Sequence, residues 1–247
     1  MITTQKKPES KADNPSAPLT PNAAALKMLF GFLATLLLTA LLLFGGAGRL
    51  DWALGWLYLT AWIVPKLVFL ILLRWRHPDL LIERATRHKN TQQYDRIILP
   101  IYFVLAFGTF LVAGLDGGRF HWSGALPVAV IVAAYIIYLL GNGLAGWAIN
   151  SNPFFSSESR IQAERGQHVV SNGPYQFIRH PSYLATLLLW PATGPMLNSW
   201  WAILPGVLTA LTMAVRTLLE DQMLQAELPG YADYAQKVRY RLIPGIW

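Results

Sequence analysis

Long apolar runs alternate with short polar links along most of this chain. The runs are Ala23 to Phe44, Ala53 to Leu73, Ile97 to Leu115, Ala125 to Ile149, Tyr183 to Leu197 and Trp200 to Leu219. At about 1.5 Å per residue, all but the fifth reach the roughly 30 Å of a bilayer core. The fifth run contains Pro191, Gly194 and Pro195, and we expect it to form an antiparallel hairpin with the sixth. The pattern predicts an all-α, polytopic membrane bundle of about six transmembrane helices.

The stretch before the first run has a different character. Residues 1–22 are rich in Pro, Ser, Lys and Asn and have almost no apolar content. Such a segment buries too little surface to fold, so we predict a disordered cytoplasmic tail at 1–22 and a single membrane domain at 23–247. The first run is too long for the core of a signal peptide, which favours a membrane helix that is retained.

The basic residues predict the orientation of the bundle. If the N-terminus is cytoplasmic, seventeen of the twenty lysines and arginines fall on the cytoplasmic side, within residues 6–27, 74–96, 160–179 and 216–241. Arg49 and Arg119 fall on the other side, and Lys66 lies inside the second run. Because basic residues favour the cytoplasmic face, both ends should be cytoplasmic. For Lys66, snorkelling toward Arg74, a structural partner and a functional role all remain open.

Composition agrees with a membrane protein and narrows its partners. The chain is 54% hydrophobic and 13% charged, against about 25% charged in soluble domains. Its net charge of +7 comes from residues that flank apolar runs, so we expect membrane lipid headgroups as partners and no nucleic acid. Cysteine is absent, and His168 and His180 have no third ligand at a characteristic spacing, so we predict no metal site.

One polar stretch, residues 167–183, stands between the apolar runs and carries two turn signals. Gly173-Pro174 predicts a turn, and Pro181 suits the first position of a helix. Arg179 and His180 would then lie at the helix N-terminus, where free N–H groups favour a carboxylate or a phosphate. The alternative is a basic loop at the membrane edge that meets only headgroups.

The last residues of the chain carry a second polar segment. Tyr231, Tyr234 and Val238 share one face of a short amphipathic helix, which packing alone explains. Arg239 and Arg241 then alternate with Tyr240 before an apolar end. We expect this tail to fold over a site, with Arg239 orienting an acidic group of the substrate. An amphipathic segment resting on the headgroups is the alternative.

Together these motifs resemble the isoprenylcysteine carboxyl methyltransferase family, especially its bacterial members. They are Gly173-Pro174-Tyr175, Arg179-His180-Pro181-x-Tyr183, Glu220-Asp221, Gly230-Tyr231-x-x-Tyr234 and Tyr240-Arg241-Leu242-Ile243-Pro244. The resemblance covers about residues 160–247, and residues 77–84 also resemble bacterial members. It implies a multi-pass enzyme of the bacterial inner membrane that uses S-adenosylmethionine. One departure is Ala185, where the family usually has glycine.

The resemblance implies that the Arg-His-Pro stretch and the acidic pair bind the cofactor. The expected cofactor-binding residues are Gln167, His168, Val169, Val170, Gly173, Tyr175, Arg179, His180, Pro181, Tyr183, Glu220 and Asp221, and the expected catalytic residues are Arg179, Glu220 and Arg239. We assign Arg179 to the carboxylate of the cofactor, Glu220 to its ammonium and the backbone of residues 168–170 to its adenine. Arg216 lies four residues before Glu220 on the same helix face, and a plain surface pair is the alternative reading there.

The expected reaction is methyl transfer to an amphiphilic, lipid-like acceptor at the cytoplasmic interface, with the carboxylate of an isoprenylcysteine-like molecule as the first choice. A carboxylate is ionised at neutral pH and needs no general base. One alternative is an NADPH-dependent membrane reductase of isoprenoid double bonds. Reductases of that kind resemble the same motifs but commonly carry glycine and an acidic residue where this chain has Ala185 and Thr186. A non-catalytic scaffold or transporter is the second alternative.

Overall fold

The computed structural model describes residues 19–86 and 91–247, and within them the chain is helical, without strands. The α-helices are α1 (Pro21–Ala47), α2 (Ala53–Arg76), α3 (Pro78–Ala85), α4 (Asp95–Ala113), α5 (Val128–Ser151), α6 (Pro181–Met196), α7 (Ile203–Glu227) and α8 (Tyr231–Lys237). A π-helical turn, Gly114–Phe120, continues α4, and 3-10 turns form at Ala163–Arg165 and Gly173–Gln176. The predicted all-α class is confirmed.

The start of α1 falls inside the predicted tail. Residues 1–18 of that tail lie outside the described residues, as do residues 87–90. Pro21 occupies the first turn of α1, where proline has no N–H to leave unpaired. The Thr20 side chain accepts a hydrogen bond from the N–H of Ala23 and caps the helix. The helix therefore begins two residues earlier than the apolar run indicates.

Five helical segments are long and apolar enough to cross a bilayer. They are Pro21–Ala47, Ala53–Arg76, Asp95–Phe120, Val128–Ser151 and Ile203–Glu227. Their outward faces are apolar: Phe30 is 75% exposed and Val104 is 72% exposed. Apolar surface on this scale is costly in water and is matched by lipid chains. The protein is therefore an integral membrane bundle.

Helix α6 is shorter than the other membrane helices, as the fifth apolar run predicts. Its 16 residues extend about 24 Å. Its two ends nevertheless reach opposite ends of the bundle. Just after α6, Asn198 accepts a hydrogen bond from the N–H of Leu126 and donates one to the carbonyl of Gly124, both in the turn before α5. Helix α6 thus runs antiparallel to both α5 and α7, and the predicted hairpin of α6 and α7 forms.

Polar contacts join several helix ends at one end of the bundle. Asn22 at the start of α1 accepts a hydrogen bond from Arg74 near the end of α2. Asp95 at the start of α4 binds Arg216, which lies just past the middle of α7. The link between α5 and α6, residues 152–180, lies at this same end. The motif residues are thereby brought together by helices that alternate in direction.

At the opposite end, the helices approach each other closely. Asp116 in the π-helical turn is fully buried and accepts hydrogen bonds from the backbone N–H of Ser123 at 2.8 Å and from the Ser199 hydroxyl at 2.6 Å. Gly117 has no room for a side chain, because an added Cβ would overlap the carbonyl oxygen of Leu197. This end of the bundle is held by hydrogen bonds and by backbone contact.

Candidate active site

A cavity of about 590 Å³ opens among the motif residues and continues between the membrane helices. Its volume is in the range of small-molecule sites. At the motif end it is lined by residues of the 152–180 link and by the ends of α6, α7 and α8. Its inner end is lined by aromatic rings, including Tyr58, Phe110 and Tyr138. The centroid of the Tyr58 ring lies 5.8 Å from that of Phe110 and 5.9 Å from that of Tyr138. The cavity is therefore polar at one end and apolar at the other.

Asp221 on α7 holds the polar end together. Its carboxylate is fully buried and forms a two-bond ion pair with Arg179, at 2.8 and 3.0 Å. His180 lies 3.1 Å from the same carboxylate, and Arg241 donates to it at 2.8 Å. The Tyr231 hydroxyl donates to it at 3.1 Å, and burial together with this carboxylate raises the pKa of Tyr231. Because a buried charge must be paired, Asp221 ties the motif link, α8 and the tail into one unit.

Arg179 also holds the backbone of the tail. Its Nη1 donates to the carbonyls of Ala235, Val238 and Arg239 at 3.2, 2.9 and 3.1 Å. Its own backbone N–H donates to the carbonyl of Tyr240 at 3.0 Å. Arg179 lines the cavity, but most of its donors are already used by Asp221 and the tail. These contacts make it a residue that positions the tail.

Glu220, next to Asp221, faces the cavity and has different partners. One carboxylate oxygen accepts hydrogen bonds from the Tyr183 hydroxyl at 2.5 Å and from the Ser159 hydroxyl at 2.8 Å. Arg216, four residues earlier, instead binds both oxygens of Asp95 at 2.8 Å each. No lysine, arginine or histidine of the described residues forms an ion pair with Glu220. Its charge therefore faces the cavity with only neutral hydrogen-bond partners.

The stretch before the Gly-Pro turn forms another part of the lining. Gln167, His168, Val169 and Val170 all line the cavity. The Gln167 side chain accepts from the N–H of Gln162 at 2.6 Å. The backbone groups of residues 168–170 form no hydrogen bond to another described residue. They are free to bind the edge of a planar ring.

The remaining predicted site residues divide into two groups. Tyr175, His180 and Tyr183 line the cavity, as do Arg179, Glu220 and residues 167–170. The residues that do not line it are Gly173, Pro181, Asp221 and Arg239. Gly173 has φ +57°, which glycine adopts without strain, and Pro181 begins α6 as predicted. The Arg239 side chain is exposed. Of the two tail arginines, Arg241 is the one whose side chain contacts Asp221.

Ala185, the departure from the glycine expected at that position, is fully buried but does not line the cavity. Its carbonyl oxygen lies 3.3 Å from the position that a Cβ on Gly141 would take. Ala185 therefore belongs to the close contact between α5 and α6, and its methyl group leaves the cavity unchanged.

Several site residues carried no signal in the sequence analysis. Asp95 accepts a hydrogen bond from the N–H of Ser159, 64 residues away in sequence, and another from Arg216, 121 residues away. The one available signal is that Asp95 stands at the edge of an apolar run, where a charged residue commonly has a partner. Local spacing alone does not identify that partner.

Comparison with known proteins gives the following matches. Residues 129–228 match the phospholipid methyltransferase family, a segment that begins in α5 and includes the motif link, Glu220 and Asp221. The cobalt-zinc-cadmium resistance protein CzcN of Cupriavidus metallidurans is 29% identical over 132 residues, which cover 52% of this chain and 56% of that protein. The chain thus matches about half the length of this curated relative. The family match confirms the resemblance to membrane methyltransferases.

Proposed function

Because residues 129–228 match the phospholipid methyltransferase family, we propose that this membrane protein transfers a methyl group from S-adenosylmethionine to an amphiphilic acceptor. The acceptor is an isoprenylcysteine-like or other lipid carboxylate, bound at the cytoplasmic interface. The proposal combines a family-level activity, methyl transfer, with a cofactor and a substrate class inferred from the cavity.

The observation that carries the proposal is the Glu220 carboxylate, which faces the cavity without an ion-pair partner among the described residues. A charge in a partly dry site requires a counter-charge. S-adenosylmethionine carries two cationic groups, an ammonium and a sulfonium, and the ammonium can donate to Glu220. Tyr183 and Ser159 orient the carboxylate by donating to its other lone pairs.

The other groups of the cofactor also have a complement in the lining. The free backbone groups of residues 168–170 suit the edge of adenine. We assign the cofactor's carboxylate to the N-terminus of α6, where the positive end of the helix dipole favours an anion. The residues present therefore fit an S-adenosylmethionine molecule in kind and in sign of charge.

Methyl transfer requires the protein mainly to hold the reacting groups in position. When bound, S-adenosylmethionine supplies an electrophilic methyl carbon: an acceptor oxygen forms a bond to it while the carbon–sulfur bond breaks, and the electron pair stays on sulfur. The acceptor carboxylate is already ionised, so no residue has to remove a proton. Holding the reacting groups in line is worth up to about 7–11 kcal/mol. The Asp221 cluster fixes the walls of the site for this purpose.

The inner, aromatic end of the cavity suits the apolar chain of the acceptor. Phe107, Phe110 and Tyr138 line it at the level of the membrane helices. An acceptor with its polar head at the motif end of the cavity and its chain among these rings would exclude water from the reacting atoms. This arrangement supports an amphiphilic acceptor over a small polar one.

The test is thermal unfolding of the detergent-purified protein with S-adenosylmethionine, S-adenosylhomocysteine and NADPH in parallel. At a hundredfold excess over the dissociation constant, a ligand adds about 2.7 kcal/mol to the free energy of unfolding. We expect both sulfur compounds to raise Tm and NADPH to leave it unchanged. A rise with NADPH alone would instead support a reductase.

A further inference from the structure

Arg84 on α3 is partly buried and differs from the buried arginines of the described residues. Its Nε and Nη1 atoms are shielded from solvent and have no hydrogen-bond partner in the described part of the chain. The buried arginines each form an ion pair with an acidic side chain: Arg160 with Glu83, Arg179 with Asp221 and Arg216 with Asp95. A guanidinium with unmet donors is costly to bury, so its surroundings need an explanation.

Aromatic rings surround the Arg84 guanidinium. Its central carbon lies 5.6 Å from the centroid of Phe69 and 5.1 Å from that of Phe155. Cation–π attraction to these faces offsets part of the desolvation cost, but it satisfies no N–H donor. Burial lowers the pKa of Arg84 to about 10, which still leaves the side chain charged at neutral pH. Two donors of Arg84 thus lack an acceptor in the described part of the chain, while the side chain lines the cavity.

Arg84 lines the same cavity as Glu220, but from a different side of it. Helix α3 packs on α1 and α2, whereas Glu220 lies on α7. Lys66 lines the cavity from α2, where its Nζ lies 4.1 Å from the centroid of the Trp62 ring and donates to the Trp62 carbonyl at 3.4 Å. Two basic side chains, Arg84 and Lys66, therefore line the cavity from the α2–α3 side.

We propose that Arg84 is the oxyanion-binding residue of the acceptor site, and that the cavity accordingly selects anionic amphiphiles. This inference rests on the proposed function. A guanidinium offers a planar pair of donors that matches two oxygens of a carboxylate or a phosphate. The oxyanion is either the carboxylate that receives the methyl group or the phosphate of a lipid whose amine receives it. Arg84 acts as a positioning and specificity residue and forms no bond to the methyl group.

The test compares three single-chain amphiphiles in a neutral detergent: dodecanoate, dodecyl phosphate and dodecanol. Each is titrated into the wild-type protein, Arg84→Met, Arg84→Lys and the control Arg76→Met, with thermal shift as the readout. Arg76 is an exposed arginine near the same end of the bundle and does not line the cavity. The same variants are also titrated with S-adenosylhomocysteine.

We expect Arg84→Met to weaken binding of dodecanoate or dodecyl phosphate by roughly 10- to 150-fold, the range for a charge-assisted hydrogen bond. Arg84→Lys keeps the charge without the planar pair of donors and should fall in between. Arg76→Met should match the wild type, and dodecanol should bind all variants equally. Preference for dodecanoate indicates a carboxylate acceptor, and preference for dodecyl phosphate indicates a phospholipid.

Unchanged affinity for both anions in Arg84→Met overturns the proposal, as does equal affinity of the wild type for dodecanol. If Arg84→Met does not fold, Arg84→Lys decides, and unchanged affinity in that variant has the same meaning. The titration with S-adenosylhomocysteine separates the two hypotheses. Wild-type protein that binds the anions through Arg84 but ignores S-adenosylhomocysteine would refute the methyl-transfer proposal and leave the anion site standing.

Discussion

Glu220 and Asp221 are adjacent carboxylates with different surroundings. Successive residues on an α-helix point roughly 100° apart, so one side chain faces the cavity and the other faces the motif link and α8. Asp221 is neutralised by Arg179 and Arg241, whereas Glu220 receives only hydroxyl donors. This difference assigns a structural role to Asp221 and leaves ligand binding to Glu220.

Glu220→Gln should therefore weaken cofactor binding. The substitution keeps the size and part of the hydrogen bonding but removes the charge that faces the ammonium. Since a charge-assisted bond is worth about 1.5–3 kcal/mol, Kd for S-adenosylhomocysteine should rise roughly 10- to 150-fold by calorimetry. Glu227→Gln is a matched control, because Glu227 is exposed on the same helix and does not line the cavity. The same Kd in both variants would remove Glu220 from the site.

At the residue scale, the sequence predicted which polar side chains line the cavity better than it predicted their partners. The sequence motifs predicted His180, Tyr183 and Glu220, which all line the cavity. Helical spacing also placed Arg216 on the same face as Glu220, with which it interacts electrostatically, but it did not predict the ion pair that Arg216 forms with Asp95 on another helix. Helical spacing predicts which residues share a face, and it carries no information on the helix opposite that face. Arg84 ends the 77–84 stretch that resembles bacterial members, but for the same reason the sequence did not predict its place in the cavity.

At the scale of elements, the motif link and the tail form one layer over the polar end of the cavity. The sequence predicted the turn at the Gly-Pro pair, the start of α6 and a short amphipathic helix near the end, and α8 buries Tyr231 and Tyr234 as expected. The tail contact falls on backbone carbonyls, which every residue has. Sequence patterns therefore did not reveal how Arg179 holds the tail.

Loss of the Arg179 side chain should release this layer. Arg179→Leu breaks a buried ion pair and frees three carbonyls of the tail. We expect a loss of about 3 kcal/mol in the free energy of unfolding, at the low end for such a change because Asp221 keeps Arg241. Limited trypsin digestion should then cut rapidly after Lys237 and Arg239, and Tm should fall.

The control for this experiment is Asp233→Asn, an exposed position on α8. It should keep the wild-type Tm and digestion pattern, since it leaves the contacts of Arg179 intact. Arg179→Leu that resists trypsin as the wild type does would show that other contacts hold the tail, and it would return Arg179 to the list of ligand-binding residues.

At the scale of the whole molecule, hydrophobic pattern alone predicted most of the architecture. Most apolar runs begin and end within a few residues of a helix, because lipid requires each backbone segment to satisfy its own hydrogen bonds as a helix. Helix α7 is the exception and continues eight residues past the end of the sixth run. The pattern did not predict α3 or the π-helical turn. The π-helical turn depends on close backbone packing at Gly114, Gly117 and Gly118, which hydrophobic periodicity does not reveal. Helix α3 has only eight residues, so a search for long apolar runs does not detect it.

The distribution of basic residues predicts which end faces the cytoplasm. Arg49 and Arg119 lie near the end opposite the cavity mouth, and most other arginines and lysines of the described residues lie at the mouth. We expect reporter fusions at residues 1 and 247 both to report the cytoplasm. Fusions after Arg49 and Arg119 should report the opposite side. Opposite readings at residues 1 and 247 would contradict the arrangement in which α6 and α7 form a complete hairpin, and non-cytoplasmic readings at both would reverse the predicted orientation.

The packing around Gly117 has a mechanical consequence for how ligands enter. At that end, backbone touches backbone, and Asp116 is bonded to the turns before α5 and after α6. Helices joined in this way cannot slide past one another there without losing buried hydrogen bonds. Any widening of the cavity must therefore come from divergence of the helices at the mouth. The Asp116 end would act as a fulcrum, so that a small angular change there becomes a larger displacement beside Glu220.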